Sequence, residues 1–319
     1  MNTPRRWCGF LIAITFVGAI AAWAFVAYRA DLRRAIERVS SGSVVASTPC
    51  GQIEYAVSGD GPPVLVIHGA GGGFDQGMLL GRELAARGYR AIAVSRFGYL
   101  RTPMPPDASP EAQADAHACL LEALGIDSAG VIGVSAGAPS AMQFAVRHPG
   151  RCSALVLLVP LAWHPGQPGE TSEAPSQAMQ LALAALEYDF AYWLLMRFVP
   201  RLVTSTLLAT PADLLDTASR SEHERIQTLH EQILPVSRRA AGLRMDGSAG
   251  ARLRPYELER IEARTLIISL QDDLFETYRG AQYSASRIPG ARFVGFPSGG
   301  HVWVGHHSAI LATIADFLR

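Results

Sequence analysis

The chain has 319 residues, of which 28 are acidic and 28 basic, so its formal charge balances at zero. That balance argues against a nucleic-acid partner held through its phosphates. Every basic residue is arginine, and the lack of lysine excludes Schiff-base catalysis, pyridoxal phosphate attachment, a Walker-type phosphate loop and a Ser-Lys dyad.

The first element in chain order is an apolar run. Trp7 to Tyr28 carries no charge over 22 residues, and at about 1.5 Å rise per residue such a helix crosses a hydrocarbon core of roughly 30 Å. The expectation is a single-pass membrane anchor over residues 1–30, followed by a juxtamembrane linker over 31–49. Arg5 and Arg6 lie on one side of the run and Arg29, Arg33, Arg34 and Arg38 on the other, so the flanking charges give no orientation. A cleaved signal peptide is the competing reading, with Ala19-Ile20-Ala21 and Ala22-Trp23-Ala24 resembling cleavage sites, although the run is long for one.

Strand-like runs then alternate with helix-like segments. Pro63 to Ile67 is apolar and ends in His68-Gly69-Ala70-Gly71-Gly72-Gly73, a loop able to bring backbone N–H groups close to a substrate oxygen. Ala91 to Val94 leads into Ser95-Arg96-Phe97-Gly98-Tyr99-Leu100-Arg101-Thr102. Ala129 to Ile132 runs into Gly133-Val134-Ser135-Ala136-Gly137, with a helix-like segment from Ala136 to His148. This is the G-x-S-x-G pattern of a nucleophile elbow, where a tight strand-to-helix turn lifts the serine Oγ and needs small flanking residues.

Ala154 to Val159 reads as the next strand, and no carboxylate follows it before Glu170. Further on, Thr265 to Leu270 ends at Gln271-Asp272-Asp273, and Ala291 to Phe296 leads through Pro297-Ser298-Gly299-Gly300 to His301. Open α/β sheets place their sites at these carboxyl ends. A serine nucleophile needs a base to take its proton and a carboxylate to orient that base. Ser135, His301 and Asp273 suit those roles, with Asp272 the alternative acid. The amides of Ala70 and Ala136 are the candidate oxyanion donors.

The order Ser, Asp, His and the elbow resemble the α/β-hydrolase fold superfamily, in its capped serine hydrolases, from about Gln52 to Arg319. The resemblance implies a mostly parallel sheet flanked by helices, with the core at 50–160 and 255–319. It also implies a helical cap at 161–254, entered through Pro165-Gly166-Gln167-Pro168-Gly169 as linker. The expected activity is cleavage of a carboxylic ester of a moderately apolar small molecule, with no cofactor and no metal. Carbon–carbon bond hydrolysis, cofactor-free peroxidation and a non-catalytic ligand-binding role are the alternatives.

Many relatives carry Asp-x-x-Gly-x-Gly-x-Ser where this chain has Ser95 to Thr102, so Arg96, Phe97, Tyr99 and Arg101 either alter the pocket or pack at the surface. Tyr188, Phe190, Tyr192, Trp193, Met196 and Phe198 line the pocket or pack the cap. His68 is expected to shape its loop, and His306 and His307 to be solvated at the start of a final helix, Ser308 to Leu318. Cys8, Cys50, Cys119 and Cys152 show neither zinc-site spacing nor a disulfide framework, so buried free cysteines are expected.

Overall fold

The computed structural model describes residues 3–166, 187–248 and 253–319, with side chains from Thr15 onward. Gln167 to Gly169 of the expected linker, and Glu170, lie outside the described residues. Helix α1 spans Thr3–Ser40 and, among the described residues, is the one helix long and apolar enough to cross a membrane. The sheet contains eight strands: β1 Val44–Thr48, β2 Gly51–Ser58, β3 Pro63–Ile67, β4 Arg90–Val94, β5 Ala129–Val134, β6 Cys152–Leu158, β7 Arg264–Leu270 and β8 Arg292–Phe296. Their order is β1-β2-β4-β3-β5-β6-β7-β8. β1 and β2 pair antiparallel, as do β2 and β4, and β3 to β8 are parallel.

The apolar runs become central strands because both of their faces are covered. Leu65, Ile67, Ile92, Val94 and Val131 point to one side. There they meet α3 (Pro110–Ala123), α4 (Ala138–Arg147) and α9 (Thr277–Arg287) through Leu120, Phe144 and Ala281. Val64, Val66, Ala93, Ile132 and Ile268 point to the other. They meet α2 (Phe74–Ala85) and α10 (His307–Leu318) through Met78, Leu84 and Ile314. This period-two division of one strand between two cores is the pleat made visible.

Between β6 and β7 the described residues form α5 (Asp189–Phe198), α6 (Pro200–Thr206), α7 (Arg220–Ile233) and α8 (Ala240–Gly247). They enclose a third apolar cluster around Tyr192, Trp193, Val203 and Ile226. The stretch read as a linker over 31–49 is instead helical to Ser40 and then strand β1. Its helical part is held by apolar and polar contacts together. Ala35 and Val39 are buried, the Trp193 indole N–H donates to Asp31 at 2.7 Å, and the Arg38 guanidinium donates to Asp75 at 3.3 Å and to the Glu231 carbonyl at 3.1 Å.

The cysteine reading is also corrected. Cys50 and Cys119 form a disulfide across 69 residues, and the one free cysteine among the described residues is the buried Cys152. Pairing depends on β2 and α3 meeting in space, which spacing along the chain does not reveal.

Candidate active site

Four of the parallel strands deliver their carboxyl ends to one edge of the sheet, and every candidate residue sits just past such an end. After β5 the chain turns through a 3₁₀ segment, Ser135–Gly137, into α4. Ser135 has φ of 50°, a left-handed conformation that costs a non-glycine residue strain. The flanking glycines have a steric cause. A Cβ at Gly133 would lie 2.6 Å from the Ala141 Cβ, and one at Gly137 would lie 2.6 Å from the carbonyl oxygens of Ile67 and His68.

His301 lies within reach of both other candidates. Its Nε2 is 2.9 Å from Ser135 Oγ and its Nδ1 is 2.8 Å from Asp273 Oδ2. Asp273 and His301 are buried. Asp273 also accepts the Phe275 N–H at 2.9 Å and the Thr277 hydroxyl, while the Phe275 ring meets His301 edge-on at 4.9 Å.

The two adjacent aspartates have separate partners. Asp272 turns the other way and accepts the backbone N–H groups of Gly299 at 3.0 Å and Gly300 at 2.8 Å. It therefore pins the turn that presents His301.

The loop after β3 is held by a polar network that the sequence did not disclose. His68 Nδ1–H donates to the Gly69 carbonyl at 2.6 Å, and its Nε2 accepts the Arg96 N–H at 3.0 Å. Burial, then the Arg96 charge, holds the His68 pKa well below its ordinary value, so this ring is a neutral strut. The Tyr99 hydroxyl accepts the Gly71 N–H at 3.2 Å and donates to Asp246, which also receives Arg96 at 3.0 Å. Burial, then Asp246, raises the Tyr99 pKa well above the phenolic value. From α2 and the cap side, Asp75 accepts Arg239 at 2.8 Å, and Arg239 donates to the Gly72 carbonyl. Ala70 itself is exposed at the cavity, and Ala136 follows Ser135 at the start of the 3₁₀ turn.

The reading of the departing turn is corrected for two of its side chains: Arg96 and Tyr99 are buried braces of the glycine loop, neither pocket wall nor surface. Arg101 does pack at the surface, where it is exposed and pairs with the buried Glu54 at 2.7 Å. Asp75, Arg239 and Asp246 were missed altogether, since single charged residues far apart in sequence give no local signal.

Ser135 and His301 open onto a cavity of about 240 Å³. Its walls are largely apolar, with Leu80, Leu207, Leu208, Leu229, Phe275 and Trp303. The cap aromatics are not among them: Tyr192 and Trp193 are fully buried packing residues, and Phe190 meets Tyr28 edge-on at 5.0 Å. His307 is not solvated either. It lines the cavity, accepting the Trp303 indole N–H at 3.1 Å through Nδ1 and sharing 2.7 Å with Glu83 through Nε2.

A family model described as the alpha/beta hydrolase fold matches residues 62–304. The chain belongs to the α/β-hydrolase fold family. The curated relatives it matches are named as hydrolases. It is 37% identical over 107 residues, 34% of the chain and 37% of the relative, to "Uncharacterized hydrolase YcgS" of Bacillus subtilis. It is 32% identical over 136 residues, 41% of the chain and 46% of the relative, to "2-hydroxy-6-oxononadienedioate/2-hydroxy-6-oxononatrienedioate hydrolase" of Paraburkholderia xenovorans. These matches span between a third and a half of the relatives' lengths. The solved structure of an α/β-hydrolase fold protein from Nakamurella multipartita superposes with a TM-score of 0.71 at 30% identity, covering 87% of this chain and 99% of that one.

Proposed function

We propose that this protein is a hydrolase that cleaves carboxylic esters of small, moderately apolar molecules through a Ser135 acyl-enzyme. The observation that carries the reading is the unbroken line of hydrogen bonds from Asp273 through His301 to Ser135 at the wall of an apolar cavity. With Nδ1–H donated to Asp273, His301 Nε2 is free to take the Ser135 proton as Oγ attacks the ester carbonyl. The carbonyl oxygen becomes an oxyanion, for which the Ala70 and Ala136 amides are the candidate donors. Collapse expels the alcohol, protonated by His301, and a water activated by the same imidazole releases the acid. The cavity volume of about 240 Å³ is below the range of roughly 300–1,000 Å³ usual for ligand pockets, which favours short acyl groups.

A fluorophosphonate probe should label Ser135, and Ser135→Ala should lose both labelling and ester hydrolysis; labelling that survives in the alanine variant overturns the assignment. Carbon–carbon bond hydrolysis on the same residues is a second reading, favoured by the name of the Paraburkholderia relative. Turnover of a graded acyl-ester series against β-diketones and dienoate ketones separates the two.

The reading extends to location. Helix α1 serves as an uncleaved anchor, and the Cys50–Cys119 disulfide supports a catalytic domain outside the reducing cytoplasm, with Arg5 and Arg6 inside. Full-length protein should stay with membranes through alkaline carbonate, and sealed vesicles of cytoplasm-inward orientation should leave the domain open to added protease. A soluble mature chain beginning near Ala22 or Phe25 would mean a cleaved signal peptide.

A further inference from the structure

The anchor and the cap overlap along the axis of α1. The uncharged run ends at Tyr28, yet Ala24, Ala27 and Tyr28 already pack against the cap cluster of Tyr192, Trp193 and Val203. Trp23 shares a groove with Arg197, Pro200 and Arg201 at the corner where α5 passes into α6. Trp23 lies five residues inside the run, about 7 Å along the helix. A bilayer's headgroup layer is about 5–7 Å deep on each side. The corner is therefore level with the boundary between headgroups and acyl chains wherever the run spans.

The side chains at that level are suited to it. Residues 197–202, Arg-Phe-Val-Pro-Arg-Leu, are all exposed, with Phe198 at 57%, Val199 at 40% and Leu202 at 51%. Apolar groups alternate there with two arginines, and the exposed Arg29, Arg33 and Arg34 stand on the adjacent turns of α1. Arg201 already pairs with the exposed Asp216, so it can exchange that partner for a phosphate at little cost. Apolar insertion with arginines at phosphate depth is the chemistry of an interfacial membrane contact.

We propose that the α5–α6 corner is a second membrane contact, seated in the same leaflet from which α1 emerges. The proposal rests on the anchor reading. The occupant is the bilayer, because the patch is continuous with the spanning helix and lies at its lipid boundary. The geometry has a consequence for the site: Leu207 and Leu208, which wall the cavity, directly follow α6, so one short helix links the lipid contact to the cavity wall.

The test uses the full chain with Cys8→Ser, so that the label reacts at one introduced thiol; Cys152 is buried, and burial pushes its thiol up to about 12. An environment-sensitive fluorophore is placed at Phe198→Cys, Leu202→Cys or the exposed Ser128→Cys, which precedes β5 at the sheet edge away from the cap. The protein is reconstituted in phosphatidylcholine and phosphatidylglycerol vesicles. Nitroxide-bearing lipid should quench positions 198 and 202 by half or more while aqueous iodide does not, with the reverse at 128. Iodide quenching at 198 and 202, in protein that still resists carbonate extraction, overturns the cap contact and leaves the anchor standing. Extraction by carbonate removes the anchor reading, and this one with it. Shielding from both quenchers, with disulfide cross-linking of unlabelled Leu202→Cys chains, assigns the patch to a second copy and also overturns the proposal.

Discussion

Exchanging the two neighbouring aspartates for asparagine, one at a time, should give opposite signatures. At Asp273 the amide keeps the shape and the bond from the Phe275 N–H, but its NH₂ then faces His301 Nδ1. The imidazole proton is driven to Nε2, which can no longer accept from Ser135. Loss of the charge and the wrong tautomer should lower kcat by about 10⁴, or about 5 kcal/mol of barrier, with little change in stability. At Asp272 the carboxylate accepts two backbone N–H groups, at 3.0 and 2.8 Å. Asparagine retains one of these bonds and opposes the other with a donor, which costs about 1.5–3 kcal/mol. At about 2–4 °C per kcal/mol, Tm should fall by roughly 3–12 °C. Because Asp272 grips the turn and not the imidazole, kcat should fall about tenfold, within the cost of a small misplacement. Both quantities are read from p-nitrophenyl ester turnover and calorimetry in detergent. A greater kcat loss for Asp272→Asn than for Asp273→Asn would refute the reasoning and make Asp272 the orienting acid.

Asp75→Asn should lower stability by about 3–5 kcal/mol, because it strands the fully buried Arg239 charge; chemical unfolding measures it, and Asp75→Asn with Arg239→Met should recover part of the loss. By contrast, Arg220→Ala, which removes an exposed pair with Glu224, should leave the unfolding midpoint unchanged. Burial depresses His230 to about 4 and His117 to about 3 from an ordinary 6.5. The unfolded chain thus binds more protons below pH 6.5, so their contribution is complete above 6.5 and is lost as pH falls toward 4 and 3. The slope is about 1.4 kcal/mol per pH unit for each imidazole, and His230→Gln should flatten the acid limb of a denaturation series by about that amount. Cys50→Ser with Cys119→Ser opens a loop of 69 residues and should cost about 4 kcal/mol by loop entropy; an unchanged midpoint with and without reductant would contradict it.

Much of the fold was legible because it is written in neighbouring residues. The runs Pro63 to Ile67 and Thr265 to Leu270 read as strands and are strands, and the room around Ser135 required small residues at 133 and 137. The candidate site followed from the same local logic, since each residue directly succeeds a strand and the strands share a direction. Asp272 and Asp273 were ambiguous because a one-residue register step reverses which side of the turn a side chain faces, and only the position of the returning His301 loop separates them.

What tertiary structure alone decided lies in contacts between segments remote in sequence. Tyr192 and Trp193 became core because α1 packs against them, leaving the cavity to be walled largely by leucines. The disulfide joins residues 69 apart, and the Asp75–Arg239 pair joins residues 164 apart. Sequence by itself determined the strands, the elbow and the order of the candidate residues, because backbone sterics and side-chain periodicity act over a few residues. Which buried charges and thiols find each other was decided only when the chain closed on itself, because their partners are set by where distant elements pack.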